Sequence, residues 1–226
     1  MISKPPITPE EMKAIEERSE QLGVSKLLLM ENAGKAVADY IKERVGGAGR
    51  KVVVVAGTGN NGGDGFVVAR HMAGYGAFVT VFLVGTDTDI KTHEASSNLE
   101  ILRRMNKSIE LVRLSDDSFM EKFQEALSSA DVVVDAIFGT GIKGELRDPH
   151  ASLIDRINMS RAFKISVDVP SGLNPLTGEV CGRAVRADAT VTFHQVKKGL
   201  PARMDLVGEL VVANIGIPPE AELGEY

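Results

Sequence analysis

The strongest constraint in this chain is a set of short, unbroken apolar runs rich in β-branched residues, spaced between segments of helical period. Val52 to Ala56 has no polar alternation, so it does not suit a strand with one wet face. It must be covered on both sides. Phe78 to Val84, Ile109 to Leu114, Val132 to Ile137, Phe163 to Val167, Ala189 to Phe193 and Leu210 to Ala213 read as further strands. Between them lie helical stretches: one to about Gly74, one from about Lys91 to Met105, one from Ser115 to Ser128, and one that starts at Asp148-Pro149 and ends near Asn158. Repeated β-α-β units of this kind predict an α/β three-layer sandwich, a mostly parallel central sheet with helices on both faces.

Two helices precede the first strand. Thr8-Pro9-Glu10-Glu11 carries a cap, a first-turn proline and the acid of a capping box, and the helix should run to about Leu22 before Gly23 ends it. A second helix is expected from about Ser25 to Val45, where Leu28, Leu29, Ala33, Val37 and Ile41 recur at helical spacing. Gly46 to Gly49 is a turn, too short for an interdomain linker, and 226 residues suit one domain. Residues 1–226 are therefore read as a single domain, with N-terminal helices over 8–45 and an α/β core over 51–217. Met12, Ile15, Leu22, Leu27 and Met30 form an apolar stripe that either covers a sheet edge or joins two copies; the expectation is a homodimer.

Composition removes several function classes. A net charge of −5 offers no basic excess for tracking phosphates, so no nucleic-acid partner is expected. No apolar run reaches the roughly 18 residues of a membrane span. The N-terminus lacks the apolar core of a signal peptide. The lone Cys181 forms no internal disulfide, and the expected location is cytoplasmic. His71, His93, His150 and His194 are scattered and lack zinc-ligand spacing; only His194, after an apolar run near the polar loops, is a candidate for a site.

In parallel sheets ligands gather beyond the carboxyl ends of the strands. Three loops follow strands here. The first, Gly57-Thr58-Gly59-Asn60-Asn61-Gly62-Gly63-Asp64-Gly65, has the spacing of a Rossmann-like dinucleotide fingerprint, and its five glycines in nine residues point to close backbone approach. Asn60, Asn61 and Asp64 are unusual in that motif and suggest work beyond holding phosphate. The acid that binds ribose after the second strand of a dinucleotide site is missing, since Phe82 to Thr86 has none and Asp87 comes late. The second loop runs from Asp135 through Gly139, Thr140, Gly141, Ile142, Lys143 and Gly144 to Glu145. The third is Asp168-Val169-Pro170-Ser171-Gly172-Leu173-Asn174. Asn, Asp and Ser oxygens from separate loops, with one carboxylate among them, suit a large monovalent cation.

These loops, with Leu29-Met30-Glu31-Asn32-Ala33-Gly34 ahead of them, occur in an order that resembles the NAD(P)H-hydrate epimerase family, or YjeF N-terminal domain, over about residues 8 to 217. The resemblance implies interconversion of the R and S epimers of hydrated NADH and NADPH, for repair of nicotinamide coenzymes. A separate or fused NAD(P)H-hydrate dehydratase then restores the coenzyme from the S form. It implies substrate contacts from Asn60, Asn61, Gly62, Gly63 and Asp64, from Gly139, Thr140, Gly141, Ile142, Lys143, Gly144 and Glu145, and from Asp168. It implies a potassium ion at Asn61, Asp135 and Ser171.

C6 of the hydrated ring bears both a hydroxyl and the ring nitrogen. Epimerisation proceeds by loss and return of water or by ring opening and closure, and either route needs an acid–base group. Asp168 is the first candidate, with Lys143 or Asp64 as helpers. Two other functions compete. A non-catalytic dinucleotide- or protein-binding scaffold of the same fold would be expected to lose its polar loop residues, yet Asn60, Asn61, Asp64, Asp135 and Asp168 are all present. An NAD-dependent dehydrogenase would carry the missing acid after the second strand.

Overall fold

The unbroken apolar runs obtain cover on both faces from one seven-stranded sheet, parallel throughout, in the computed structural model, which describes residues 4–141 and 144–223. The helices α1 (Pro9–Gln21) and α2 (Lys26–Arg44) lead into β1 (Lys51–Ala56), α3 (Asn60–Gly74) and β2 (Phe78–Leu83). Next come α4 (His93–Arg104), β3 (Ile109–Arg113), α5 (Phe119–Ser129), β4 (Val132–Ala136), α6 (His150–Met159) and β5 (Phe163–Val167). The chain ends with β6 (Ala189–Phe193), α7 (Met204–Val207), β7 (Glu209–Ala213) and α8 (Pro219–Leu223). The strand order is β3-β2-β1-β4-β5-β6-β7, so the chain reverses its direction of travel between β1 and β4.

Alternate residues of each strand serve opposite layers. Val52, Val54 and Ala56 join Val134 and Ile165 beneath α1 to α4, where Ile41, Phe66 and Met72 are fully covered. Val53, Val55 and Val133 face the other way, toward Phe119 and Phe123 of α5 and Leu153, Ile154 and Ile157 of α6. Phe82 meets both α5 rings edge-on, at centroid distances of 5.4 and 5.0 Å. A third cluster (Val169, Leu173, Leu200, Leu206 and Val207) anchors the long crossovers around β6.

The expected capping box forms: Thr8 Oγ1 accepts from the Glu11 amide at 3.1 Å, and Glu11 Oε2 accepts from the Thr8 amide at 2.7 Å. The N-terminal stripe is divided. Met12, Ile15 and Met30 are buried within the chain's own core, whereas Leu22 and Leu27 are exposed. Most of the stripe therefore covers the sheet. Two features refine the sequence reading. The sheet is wholly parallel, and the first polar loop is short, because Asn60 already lies in α3. No helix among the described residues is long and apolar enough to cross a membrane.

Candidate active site

The reversal between β1 and β4 opens a crevice at the carboxyl edge of the sheet, the place where such folds bind ligands. Gly59 is the N-cap of α3 and makes no side-chain cap, so amides of the first turn keep free donors for an anionic group. Asn60, Asn61 and Asp64 stand in that turn and not in a loop.

Most of the glycines are required by the chain's own packing. A Cβ at Gly57 would lie 2.0 Å from the Ile137 carbonyl oxygen, and one at Gly62 would lie 2.0 Å from that of Gly57. A Cβ at Gly63 would meet Met30 at 2.6 Å, and one at Gly65 would meet Ala136 at 2.7 Å. These contacts press α3 onto β1, β4 and α2. At Gly59 and Gly141 a Cβ would meet nothing within 4 Å, which leaves these two facing open space.

Two polar groupings occupy the crevice. In the first, Asp135 at the end of β4 is fully buried between Val55 of β1 and Ser166 of β5. Its Oδ2 accepts from Ser166 Oγ and from the Ser171 amide, both at 2.8 Å. Ser171 Oγ accepts from the Phe138 amide at 2.9 Å, and Gly139 lies against the Asn61 side chain. Asn61, Asp135, Gly139 and Ser171 are thus brought together from three strand ends. Burial pushes the Asp135 carboxyl up, opposed by the serine hydrogen bonds, and no cationic side chain pairs with it among the described residues. The buried Asn61 Nδ2 has no hydrogen-bond partner.

The second grouping centres on Asp168, held in the left-handed region at φ 65°. Such a conformation is strained for a non-glycine residue and is kept only where its surroundings enforce it. Here Asp168 Oδ1 accepts from Thr192 Oγ1 at 3.0 Å, from the Phe193 amide at 3.1 Å and from Lys197 Nζ. Lys197 is 1% exposed and also donates to the Phe193 carbonyl at 2.9 Å. One oxygen of Asp168 is thereby anchored by three donors, and Oδ2 accepts from none among the described residues.

Beside this pair, Asp64 and Asn60 line a cavity of about 70 Å³ together with Glu16, Lys26, Met30 and Phe193. Burial holds the Asp64 carboxyl well above the ordinary carboxylate range. The charges of Asp168 and Glu16 add to this, and Lys197 opposes it. Glu16 is raised for the same reasons, burial first and then Asp168. A larger groove of about 650 Å³ lies at the far ends of α5 and α6 beside Ala162, at the opposite edge of the sheet from these groups.

The remaining sequence candidates are less closely tied to the site. Thr140 is half-buried, while Gly141, Gly144 and Glu145 are exposed; Glu145 leans on Gly182. Ile142 and Lys143 lie outside the described residues. His194, also in the left-handed region at φ 66°, faces Glu222 at 3.6 Å and lines no part of the cavity. Asp87 is bound by Arg103 and Arg113, which fits its exclusion as a ribose acid. Sequence reasoning missed Lys197 and Glu16. Glu16 gave a signal, since it falls four residues after Met12, on the buried face of α1. Lys197 sits in a Val-Lys-Lys run that carried none.

Comparison with known proteins places the chain in a family. The family model described as YjeF-related protein N-terminus matches residues 26–199. A protein named NAD(P)H-hydrate epimerase from Nitrosopumilus maritimus is 47% identical over 96% of this chain and 98% of its own length. One of the same name from Cenarchaeum symbiosum is 49% identical over the same shares. A bifunctional NAD(P)H-hydrate repair enzyme from Pyrobaculum aerophilum is 47% identical over 96% of this chain, which spans 43% of that larger protein. The crystal structure of the yeast protein ynu0 shares the fold, with a TM-score of 0.80 at 23% identity over 96% of this chain and 92% of that one. The chain belongs to the YjeF-related protein N-terminus family.

Proposed function

We propose that this chain is an NAD(P)H-hydrate epimerase, an isomerase that interconverts the R and S epimers of hydrated NADH and NADPH. The observation that carries the reading is the pairing of two unlike carboxyl groups at the crevice. Asp64 is buried with its carboxyl raised, which suits an acid, and Asp168 has one oxygen free and the other anchored, which suits a base. In the water-loss route, Asp64 gives its proton to the C6 hydroxyl. The C6–O bond breaks with its electrons on the departing water, and the ring nitrogen lone pair forms the N1–C6 double bond. Water then returns to either face while Asp168 takes its proton, and that proton passes back to Asp64 through solvent to restore both groups, so no oxidant or nucleotide triphosphate is consumed. In the ring-opening route the same two groups move a proton off the hydroxyl and onto the ring nitrogen.

The α3 amides and open Gly59 suit the dinucleotide phosphates, and Gly139, Thr140, Gly141, Gly144 and Glu145 bound the crevice on the β4 side. Ile142 and Lys143 belong to that same loop in this reading. Potassium fits the Asn61, Asp135 and Ser171 set: the one buried carboxylate lacks a cationic partner among the described residues, and Asn61 Oδ1 beside Gly139 and Ser171 Oγ offer neutral oxygens near it. Bound there, the ion would supply positive charge that compensates Asp135 and favours an anionic substrate. A cytoplasmic location and cooperation with a hydrate dehydratase complete the reading, the latter supported by the bifunctional relatives. A homodimer would use the exposed Leu22, Leu27 and Leu28 at the α1–α2 corner, and sedimentation tests it.

The test is a coupled assay. A mixture of the two epimers is given to an S-specific dehydratase with and without this chain. The reading expects partial recovery of coenzyme without it and full recovery with it. Equal recovery in both arms would refute it.

A further inference from the structure

The cavity beside Asp168 contains one carboxyl that neither composition nor motif singles out. Glu16 is half-buried on α1, outside the α/β core, yet it lines the same cavity of about 70 Å³ as Asp64. The Asp64 side chain is nine-tenths buried and has no hydrogen-bond or ion-pair partner among the described residues. The cation best placed to neutralise these acids is already used: Lys197 Nζ is held by Asp168, Thr192 and the Phe193 carbonyl. Lys26, at the cavity wall, pairs with Glu20 at 3.2 Å. The other charged groups facing Glu16 are Asp168 itself, Glu17 on its own helix and Glu94 on α4, all acidic. Two carboxyls sharing a small cavity with no free cation among the described residues cannot both ionise cheaply.

We propose that Glu16 and Asp64 act as one carboxyl pair that carries a single proton, with Glu16 a positioning residue that keeps that proton on Asp64 for the substrate. The proposal rests on the epimerase reading for its role in turnover, but the pair itself is measurable without substrate. Burial raises Asp64 most, the Asp168 charge adds to it, and Glu16, on the wall of the same cavity, adds a further like charge. The two groups therefore titrate in two steps that belong to the pair. Replacing Glu16 with glutamine removes the charge but keeps the shape, so Asp64 should then lose its proton at lower pH. Because the acid must be protonated to act, the alkaline limb of the epimerisation profile should move to lower pH with it. Above that limb the rate should be about tenfold lower for each pH unit of displacement.

The experiment follows the Asp64 carboxyl by carbon NMR across a pH titration in the wild type, Glu16→Gln and Glu16→Asp, alongside the epimerisation profile. The expected result is a two-step Asp64 titration in the wild type, a single step at lower pH in Glu16→Gln, and the two-step form restored in Glu16→Asp. A purely structural Glu16 would lower the melting temperature and leave the Asp64 midpoint in place, and that result overturns the proposal. If the midpoint moves but no variant, wild type included, epimerises the hydrates, the pair stands and the epimerase reading fails. If Glu16→Gln does not fold, the comparison of wild type with Glu16→Asp and with Asp64→Asn decides: a single-step Asp64 titration in both wild type and Glu16→Asp, or no change in Glu16 titration when Asp64 is replaced, overturns the pair.

Discussion

The raised Asp64 carboxyl predicts a stability effect that can be measured apart from catalysis. The perturbation is Asp64→Asn, which keeps the shape and removes the ionisable group. Asp64 is 9% exposed and its folded-state pKa lies well above the unfolded value, chiefly through burial. Between those two values the folded protein holds a proton that the unfolded chain has released. Folding therefore takes up a proton in that window, and stability falls as pH rises. The slope is up to about 1.4 kcal/mol per pH unit for one proton. The amide of the variant has no such proton, so Asp64→Asn should gain stability over the wild type steadily as pH rises above the ordinary carboxylate range of about 4, with little difference below it. Urea unfolding of both proteins at a series of pH values reads the difference directly, with the slope in denaturant checked for constancy. Parallel stability curves across that range would refute the reasoning, because they would mean that Asp64 ionises in the folded state as freely as in the unfolded chain. The same variant should lose epimerase activity, a group retained for function at a cost in stability.

Asp168→Asn should lower turnover on the order of 10² to 10⁴-fold with little change in dinucleotide affinity, read by steady-state kinetics and calorimetry. Lys197→Met should cost about 3–5 kcal/mol in urea unfolding, since it leaves Asp168 buried without its cation; a loss below about 1 kcal/mol would place the pair among weak surface bridges. Gly62→Ala should destabilise by about 1–3 kcal/mol or more, because its Cβ would fall 2.0 Å from the Gly57 carbonyl oxygen. Gly59→Ala, which has nothing within 4 Å of the added carbon, should cost no more than about 1 kcal/mol as a poorer N-cap and weaken dinucleotide binding measured by titration calorimetry. Asp135→Ala should abolish any difference in melting temperature between potassium and choline salts, and equal melting of the wild type in both salts would count against an ion at Asn61, Asp135 and Ser171.

The layer architecture was legible because its cause is local. A run such as Val52 to Ala56 has to be covered on both faces, and the segments between runs have helical period, so the sandwich follows without any long-range information. The capping box at Thr8 and Glu11 was equally local. The short α7 and α8 left no periodic signal to read, at four and five residues. The first glycine-rich segment was located correctly, but its glycines were explained by ligand approach. Gly57, Gly62, Gly63 and Gly65 are also required by contacts with residues 30, 57, 136 and 137, which no local pattern discloses. Lys197 was invisible for the same reason. Its role depends on the chain turning back after β6, so that its ammonium reaches Asp168 across a separation of 29 positions. Glu16 depends on α1 lying over the cavity, which is a fact of packing.

The central claim is that this crevice epimerises hydrated nicotinamide coenzyme by acid–base chemistry at Asp168. The most direct measurement starts from each pure epimer in turn and follows both by NMR, with the wild type, with Asp168→Asn, and with no protein. The account predicts that the wild type brings both starting materials to the same epimer ratio faster than the spontaneous reaction, and that Asp168→Asn, still folded, loses most of that acceleration. A folded wild type that does not exceed the spontaneous rate from either side, or an Asp168→Asn variant as fast as the wild type, would contradict it.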